Sequence, residues 1–160
     1  MLISKLPNSR YLSLFNKIRC WYVTKIMGVM NPHSQNYFEE NVYLGSPKAV
    51  TIGEHCHINE NVFIQGAVIG NKVMIAPNVS ILHNSHNHNR TDVAMIEQGV
   101  TTNNPPIIED DVWLARNVIV LPGVTIKKGT IVAVGAIVNK DTEAYSVYGG
   151  IPAKKIKSRN

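Results

Sequence analysis

The chain has 160 residues, of which 44% are hydrophobic and 17% are charged, and its formal net charge is +5 at neutral pH. This length suffices for one domain with a sizeable buried core. An aromatic content of 7% is too low for stacking-based nucleic-acid binding, two cysteines are too few for a disulfide scaffold, and no apolar run is long enough to span a bilayer. The N-terminus lacks the pattern of a secretory signal peptide, so we expect a cytoplasmic, mostly β protein.

The charge is concentrated at the two ends of the chain. Residues 1–38 contain five basic and no acidic residues, and residues 151–160 contain four basic and no acidic residues. The body between them has seven basic and eleven acidic residues, which gives it a net charge of −4. This distribution argues against a nucleic-acid partner. It suits a compact polyanionic ligand or an anionic lipid surface, unless the ends are only solubilising tails.

Residues 11–30 have the pattern of an amphipathic helix. Leu14, Ile18 and Ile26 fall on one stripe together with Trp21 or Tyr22, and Gly28 and Pro32 are placed to end the helix. We expect this segment to cap the open edge of the β-structure that follows, because unpaired strand edges promote aggregation. Contact of this basic helix with a membrane surface is the alternative.

A six-residue period dominates the rest of the chain. Between its apolar anchors lie turn-forming Gly, Asn and Pro residues. Neither a helix nor an alternating strand has this period, whereas a β-solenoid does, because each unit is one short strand and a corner that stacks on neighbouring turns. The anchors are Ile52, Ile58, Ile64, Ile69, Ile75 and Ile81, with one unit shortened to five residues, and then Ile108, Leu114, Val120, Ile126, Val132 and Val138. In the first run the second apolar position of each unit is Cys56, Val62, Val68, Val73 or Val79.

Residues 83–107 interrupt this period with a polar loop that is long for a passive connection. Three of the six histidines, His83, His86 and His88, lie at its start. From their spacing alone, metal ligation, proton transfer and an ordinary polar surface loop all remain open.

The repeats and this loop resemble those of the hexapeptide-repeat acyltransferases, closest to sugar and polysaccharide O-acetyltransferases of the galactoside/maltose, colanic-acid and virginiamycin types. The resemblance covers residues 42–157 and implies a mainly β fold, a left-handed parallel β-helix with an N-terminal helical segment. With three units per turn, residues 18 apart would stack, and the two runs would supply about four turns. The implied organisation is a helical cap at 1–40, a β-helix acyltransferase domain at 41–157 with the loop 83–107 inserted between turns, and a tail at 158–160.

The resemblance also assigns the histidines. Ser85-His86-Asn87 looks like the catalytic histidine segment of such enzymes, and His86-Asn87-His88 matches the His-Asn-His form of the capsule-type members. His86 is therefore expected to be the general base, with His88 as its rival. His83, Asn84 and His88 are expected to contact the acceptor. An imidazole suits proton removal from a hydroxyl because its unperturbed pKa, about 6.5, leaves it mostly neutral at physiological pH.

Two further motifs resemble acetyl-CoA-binding segments of that family. Val112-Trp113-Leu114-Ala115-Arg116-Asn117 is similar to its Val-Trp-Ile-Gly block, and Val134 lies 18 residues after Arg116. At the C-terminus, Val138-Asn139-Lys140-Asp141 and Gly150-Ile151-Pro152-Ala153-Lys154 look like its Val-Thr-Lys-Asp and Gly-Asn-Pro-Ala-Lys endings, apart from Asn139 and Ile151. The resemblance thus implies that acetyl-CoA is bound by Trp113, Arg116, Val134, Asn139, Lys140, Lys154 and Lys157.

The resulting hypothesis is an acetyl-CoA-dependent O-acetyltransferase acting on a hydroxyl of a sugar or glycan. Cys56 occupies an inward repeat position rather than that of a nucleophile, so direct attack on the thioester without a covalent enzyme intermediate is the implied mechanism, and no metal is expected to be required. The resemblance also implies a homotrimer with active sites between subunits, where His86 of one chain meets Trp113 to Arg116 of another. The expected location is cytoplasmic, with peripheral contact at the inner face of the membrane through residues 11–30 as the alternative.

Three other functions are weighed against this one. An N-acetyltransferase of an aminosugar would use the same solenoid. A hydratase of the γ-carbonic-anhydrase type binds zinc through three histidines, but this function would leave the motifs that resemble acetyl-CoA-binding segments unexplained. A non-catalytic binding solenoid would have no affinity for coenzyme A.

Overall fold

The computed structural model describes residues 6–9, 12–32 and 34–159. One helix, α1 (Ser13–Lys25), precedes sixteen short strands. The strands form β1 (Tyr37–Phe38), β2 (Tyr43–Leu44), β3 (Val50–Ile52), β4 (His57–Ile58), β5 (Phe63–Ile64), β6 (Ala67–Ile69), β7 (Met74–Ile75), β8 (Ser80–Ile81), β9 (Ile107–Ile108), β10 (Trp113–Leu114), β11 (Ile119–Val120), β12 (Thr125–Ile126), β13 (Ile131–Val132), β14 (Ile137–Val138), β15 (Ser146–Gly149) and β16 (Lys154–Ser158).

The strands build a left-handed parallel β-helix, as the resemblance implies, and it has about six turns rather than the expected four. Strands β1 to β11 each pair in parallel with the strand three positions later in the chain, so three strands complete one turn, and β13 pairs in parallel with β15. Sheet 1 has the order β1-β4-β7-β10-β13-β15-β16, sheet 2 the order β14-β11-β8-β5-β2, and sheet 3 the order β12-β9-β6-β3. Only β16 runs antiparallel to its neighbour β15.

The predicted anchors form the core. All twelve are buried, because each is the second residue of a two-residue strand or the last of a three-residue strand, and that side chain points into the solenoid. Val68 differs from the prediction. It lies at the middle of β6 and is exposed, because the shortened unit places Ala67 and Ile69 inward instead.

Asparagine occupies one column of corners in the solenoid. Asn41, Asn61, Asn78 and Asn117 occupy equivalent corners and all have φ between 55° and 62°. This left-handed conformation is uncommon for most side chains, but asparagine tolerates it because its short amide can bond the local backbone. A stack of such corners turns the chain by the same angle at every level.

Helix α1 covers the first edge of the solenoid, but with a different face from the predicted one. Leu14, Trp21 and Ile26 are exposed, whereas Arg19 and Val23 are buried. The reason is that the edge of β1 presents unpaired backbone groups, which polar side chains satisfy better than apolar ones. The Asn16 side chain accepts from Phe38 N–H at 2.8 Å, Arg19 donates to Phe38 O, and the Cys20 thiol lies 3.1 Å from Asn36 O.

A buried ion pair fastens this cap. Arg19 Nη1 lies 3.8 Å from Glu39 Oε2, and both side chains are almost fully inaccessible to solvent. Glu39 also accepts bonds from Ser9 N at 2.9 Å and Ser9 Oγ at 2.7 Å, while Arg19 donates to the carbonyls of Leu6 and Pro7. The pair therefore joins the N-terminal segment, α1 and the first turn.

The β-structure extends beyond the boundaries that the sequence predicts for it at both ends. Strand β1 lies within the segment predicted as a cap yet pairs with β4 in the solenoid. At the other end Ser158 belongs to β16, and Arg159 Nη1 donates to Asp111 Oδ2 at 3.0 Å. Residues 1–5, Arg10, Tyr11 and His33 of the predicted cap and Asn160 of the predicted tail lie outside the described residues. No helix in the described part of the chain is long and apolar enough to cross a membrane.

Candidate active site

The polar loop leaves the solenoid after β8 in sheet 2 and returns at β9 in sheet 3, so it occupies residues 82–106 at the edge between these sheets. Its two arms pair with each other. Thr101 N donates to Ser85 O at 2.8 Å, Asn104 N donates to His83 O at 2.7 Å, and Asn87 N donates to Gly99 O at 3.0 Å. These bonds make the loop a hairpin-like projection with an ordered base.

The tip of this loop is held by amide side chains. Asn87 Nδ2 donates to the carbonyls of Gln98 and Val100, each at 3.0 Å. Gln98 in turn donates to the carbonyls of Arg90 and Val93 and accepts from Arg90 N. Gln98 ends a short 3₁₀ helix (Met95–Gln98), so one side chain closes the distal half of the loop.

His83 is the buried member of the histidine trio. It is 8% exposed, and its Nδ1 has no hydrogen-bond partner among the described residues. The imidazole lies directly over Gly66, because a Cβ at that position would come within 2.3 Å of His83 Nδ1. Gly66 therefore provides the space in which this ring sits.

The other two histidines are exposed at the start of the loop. His86 forms an isolated antiparallel bridge with Val100, which fixes its backbone at the base of the projection. His88 Nδ1 lies 3.1 Å from His86 O. Because a carbonyl oxygen only accepts, His88 Nδ1 must carry the proton in this contact, and a neutral His88 then has its lone pair on Nε2.

An amide relay connects the solenoid to the loop base. The side chain of Gln65 accepts from His83 N at 3.1 Å and donates to Asn84 Oδ1 at 2.8 Å. Asn84 Nδ2 then donates to Asn103 Oδ1 at 2.9 Å. The predicted acceptor-binding residues His83 and Asn84 are thus held by two residues, Gln65 and Asn103, that the sequence reasoning did not single out.

Replacing Gly66 with alanine is expected to disturb this base. The added methyl group would overlap the His83 ring, and a displacement of about 1 Å in a positioning group can cost up to about a hundredfold in rate. We expect Gly66→Ala to lower kcat about tenfold or more in a thiol-release assay while the KM for acetyl-CoA stays nearly constant. In the His83→Ala background the same change should have little further effect, and full additivity of the two changes would contradict this packing.

The first predicted acetyl-CoA segment lies on another edge of the prism. Trp113 is an outward residue of β10 in sheet 1, beside Met74 of β7 and Ile131 of β13. Arg116 and Val134 occupy successive corners between sheets 1 and 2, where Gly135 N donates to Arg116 O at 2.9 Å. Both are exposed. The strands that precede them pair with Trp113 opposite Ile131, 18 residues later, which confirms the predicted 18-residue stacking.

The second predicted segment shares an edge with the loop. Asn139 and Lys140 follow β14 in sheet 2 and are exposed. Leu82 N donates to Val120 O and Leu121 N donates to Val138 O, each at 3.0 Å, so this corner lies two levels away from the loop base along the same edge.

The lysines of the C-terminal hairpin, formed by β15 and β16, lie on two different faces. Lys154 is opposite Gly149 and Lys157 is opposite Val147, whereas Lys155 is opposite Tyr148, because a bulge shifts the register between the last two pairs. Residues directly opposite in a sheet share a face, so Lys154 and Lys157 lie on one face and Lys155 on the other. Lys155 Nζ binds Glu143 Oε2 at 2.6 Å, while Lys154 and Lys157 have no ion-pair partner within the described chain.

The predicted residues therefore do not form one cluster in a single chain. The loop with His83, His86 and His88 projects from the edge between sheets 2 and 3, and Trp113, Arg116 and Val134 lie on sheet 1 and the edge between sheets 1 and 2. The width of sheet 2 separates these two edges.

The two cysteines are unlike activated nucleophiles. Burial raises the pKa of the Cys20 thiol from 9.0 to about 11, and burial also raises the pKa of the Cys56 thiol. A raised thiol pKa lowers the thiolate fraction at any given pH, to about one in a thousand at pH 8 for a pKa near 11.

We expect iodoacetamide to label the folded protein slowly at pH 8, and labelling of Cys20 to accelerate only as the pH approaches 11. Urea-unfolded protein should react quickly at pH 8 and serves as the control. Rapid alkylation of either cysteine in the folded protein at pH 7 would contradict the burial argument and reopen a nucleophilic role for a thiol.

Metal ligation is the remaining chemistry that the histidine trio could support. Among residues 6–9, 12–32 and 34–159, no three His, Cys, Asp or Glu side chains are grouped as metal ligands would be.

Similarity to known proteins covers most of the chain. Over 111 residues it is 38% identical to a Schizosaccharomyces pombe protein provisionally named an acetyltransferase, a match that covers 68% of this chain and 52% of the relative. Over 133 residues it is 29% identical to the galactoside O-acetyltransferase of Escherichia coli K12, covering 76% of this chain and 63% of the relative. The chain thus spans between half and two thirds of the length of these relatives. No family model matches it.

A solved structure matches nearly the whole chain. It is a hexapeptide-repeat-containing acetyltransferase of Vibrio cholerae in complex with acetyl coenzyme A, with a TM-score of 0.66 and 25% sequence identity. The alignment covers 99% of this chain and 81% of that structure.

Proposed function

Because the chain belongs to the hexapeptide-repeat acyltransferase family, we propose that it transfers an acetyl group from acetyl-CoA to a hydroxyl of a sugar or glycan. The observation that carries this proposal is the ordered, amide-rich loop that presents His86 at an edge of a β-helix whose relatives include an acetyl-CoA complex and a galactoside O-acetyltransferase. Neutral amide side chains at Gln65, Asn84 and Asn103 suit hydrogen bonding to sugar hydroxyls.

In the proposed reaction His86 is the general base. Its imidazole takes the proton of the acceptor hydroxyl as the oxygen attacks the thioester carbonyl carbon, the C–S bond breaks, and the proton passes to the coenzyme A thiolate. The products are an acetate ester and free coenzyme A. The backbone N–H groups of Arg116 and Val134 would hold the pantetheine arm and stabilise the developing oxyanion, because those of Trp113 and Ala115 already donate to the carbonyls of Thr130 and Val132.

The phosphate end of acetyl-CoA is assigned to the free lysines of the C-terminal hairpin and to Asn139 and Lys140. Lys154 and Lys157 are suitable because they share a face, are exposed and lack a competing carboxylate. Ala153 N donates to Ile137 O at 2.8 Å, which brings the start of β16 against the strand that leads into Asn139.

The pair Lys154→Gln and Lys157→Gln is expected to raise the KM for acetyl-CoA about tenfold or more, since charge-assisted bonds to phosphate contribute about 1.5–3 kcal/mol each. Lys155→Gln is the matched control, because Lys155 already binds Glu143 and lies on the opposite face. The effect should vanish with acetyl-N-acetylcysteamine, a thioester without phosphates. Equal losses with that short donor would contradict phosphate recognition.

We propose that the complete site forms between subunits of a homotrimer. In one chain the loop and the Trp113 segment lie on different edges of the prism, so two copies side by side could bring them together. Light scattering that finds a monomer at assay concentrations in an active preparation would contradict the shared site.

The reaction class is tested by thiol release from acetyl-CoA with matched hydroxy and amino sugars. We expect turnover with a hydroxy sugar or glycan and a product acetylated on oxygen. Turnover only with the amino sugars would favour the N-acetyltransferase alternative. Stoichiometric zinc in active protein would favour the hydratase alternative.

A further inference from the structure

The proposed reaction does not use the outward face of α1. Leu14, Lys17, Ile18, Trp21 and Lys25 are spaced by three or four residues, so they form one face of the helix. Leu14 is 51% exposed and Trp21 is 58% exposed, and both lysines point into solvent. Leu12 and Ile26 extend the exposed apolar surface at the two ends.

This face is basic as well as apolar. The helix contains no acidic residue, and none occurs anywhere in residues 1–38. The one arginine of the helix, Arg19, is turned inward to Glu39, so Lys17 and Lys25 supply the positive charge of the outward face. A cleft of about 560 Å³ opens beside them, and its lining includes Lys17, Trp21, Lys25 and Gln35.

We propose that this face binds the surface of an anionic bilayer, with the helix axis parallel to the membrane plane. A 13-residue helix would lie along about 20 Å of the surface. Tryptophan is favoured at the boundary between headgroups and acyl chains, and the lysine stems allow their ammonium groups to reach lipid phosphates. The opposite face of the helix stays bound to the first turn of the solenoid through Asn16 and Arg19.

Charge complementarity selects this partner over an apolar one. A purely hydrophobic protein groove would leave Lys17 and Lys25 desolvated without counter-charges. An anionic lipid surface attracts each nearby lysine by an amount equivalent to about a fivefold gain in affinity. Strand β1 packs on the opposite face of α1, and residues 39–150 beyond it have a net charge of −4, so a negative surface favours the orientation in which α1 faces it.

The test is flotation of the full chain with vesicles of phosphatidylcholine alone or containing phosphatidylglycerol at about one third. We expect binding only to the anionic vesicles, and binding that weakens as salt is added. Lys17→Gln with Lys25→Gln should lower the affinity about thirtyfold, and Trp21→Ser with Leu14→Ser should abolish it. Lys48→Gln with Lys72→Gln removes the same charge from exposed solenoid positions and should change affinity less than about threefold.

A Trp113→Phe variant leaves Trp21 as the sole tryptophan, whose emission should shift to the blue on anionic vesicles. No binding to either vesicle, or equal losses in the two lysine pairs, would overturn the proposal. A blue shift that grows with protein concentration in the absence of lipid would also overturn it, by assigning the face to a second copy of the chain. Because no substrate is present, these outcomes are independent of the acetyltransferase assay.

Discussion

His86→Ala is expected to lower kcat for acetyl transfer by about 10²–10⁴-fold while leaving acetyl-CoA binding intact. The expected loss is that of general-base assistance, because an exposed imidazole at the base of an ordered loop is placed to take a proton from a bound hydroxyl. The measurement is thiol release at saturating acetyl-CoA, with coenzyme A affinity determined separately by calorimetry.

His88→Ala is the matched control for this prediction. His88 contacts the His86 carbonyl, so its loss should loosen the loop and reduce kcat modestly, on the order of tenfold or less. If His88→Ala is inactive while His86→Ala retains most of its turnover, the base is His88. In that case Nε2 of His88 would be the nitrogen that accepts the proton, because Nδ1 is already protonated in its contact with His86 O.

Glu39→Ala is expected to destabilise the fold by about 3–5 kcal/mol, because it leaves the Arg19 guanidinium buried without its counter-charge. The same change removes the acceptor of both Ser9 bonds, so the N-terminal segment should detach from the solenoid. For a chain of this size the midpoint of thermal unfolding should fall by roughly 6–20 °C.

Glu54→Ala provides the comparison for Glu39→Ala. Glu54 is exposed at a corner, and such surface substitutions usually change stability by less than about 0.5 kcal/mol. The double change Arg19→Met with Glu39→Met should recover much of the loss, since apolar residues can replace a buried ion pair. A Glu39→Ala variant as stable as Glu54→Ala would contradict the role assigned to this pair.

The solenoid core could be predicted because its period is set by the backbone. Each anchor from Ile52 to Val138 must point inward when a strand of two or three residues follows every corner. An aliphatic residue at every sixth position therefore indicates a buried side chain. Val68 was predicted wrongly because the five-residue unit shifts the inward position to Ala67. The number of turns was also underestimated, since strands such as β1 and β15 carry no regular aliphatic period.

The orientation of α1 could not be predicted from hydrophobicity. The stripe through Leu14 and Trp21 is the more apolar face, yet the edge of β1 needs hydrogen-bond partners, and Asn16 and Arg19 supply them. Long-range pairs of this kind leave no periodic trace in the sequence.

The candidate site was predictable only in part. The histidines of the loop and the lysines of the C-terminus are local patterns, whereas the relay from Gln65 through Asn84 to Asn103 joins residues from different turns. The space for His83 over Gly66 is likewise a contact across the solenoid edge. Glycine is so common at corners that its presence at position 66 does not indicate that it also provides space for the His83 ring.

Acetyl transfer from acetyl-CoA to a hydroxyl is tested by thiol release from the wild-type chain with a panel of sugars and glycans, followed by mass spectrometry of the acceptor. We expect stoichiometric release of coenzyme A and an acetate ester on one acceptor, both dependent on His86. A wild-type protein that neither binds coenzyme A nor cleaves acetyl-CoA with any acceptor would contradict it and leave a non-catalytic binding solenoid.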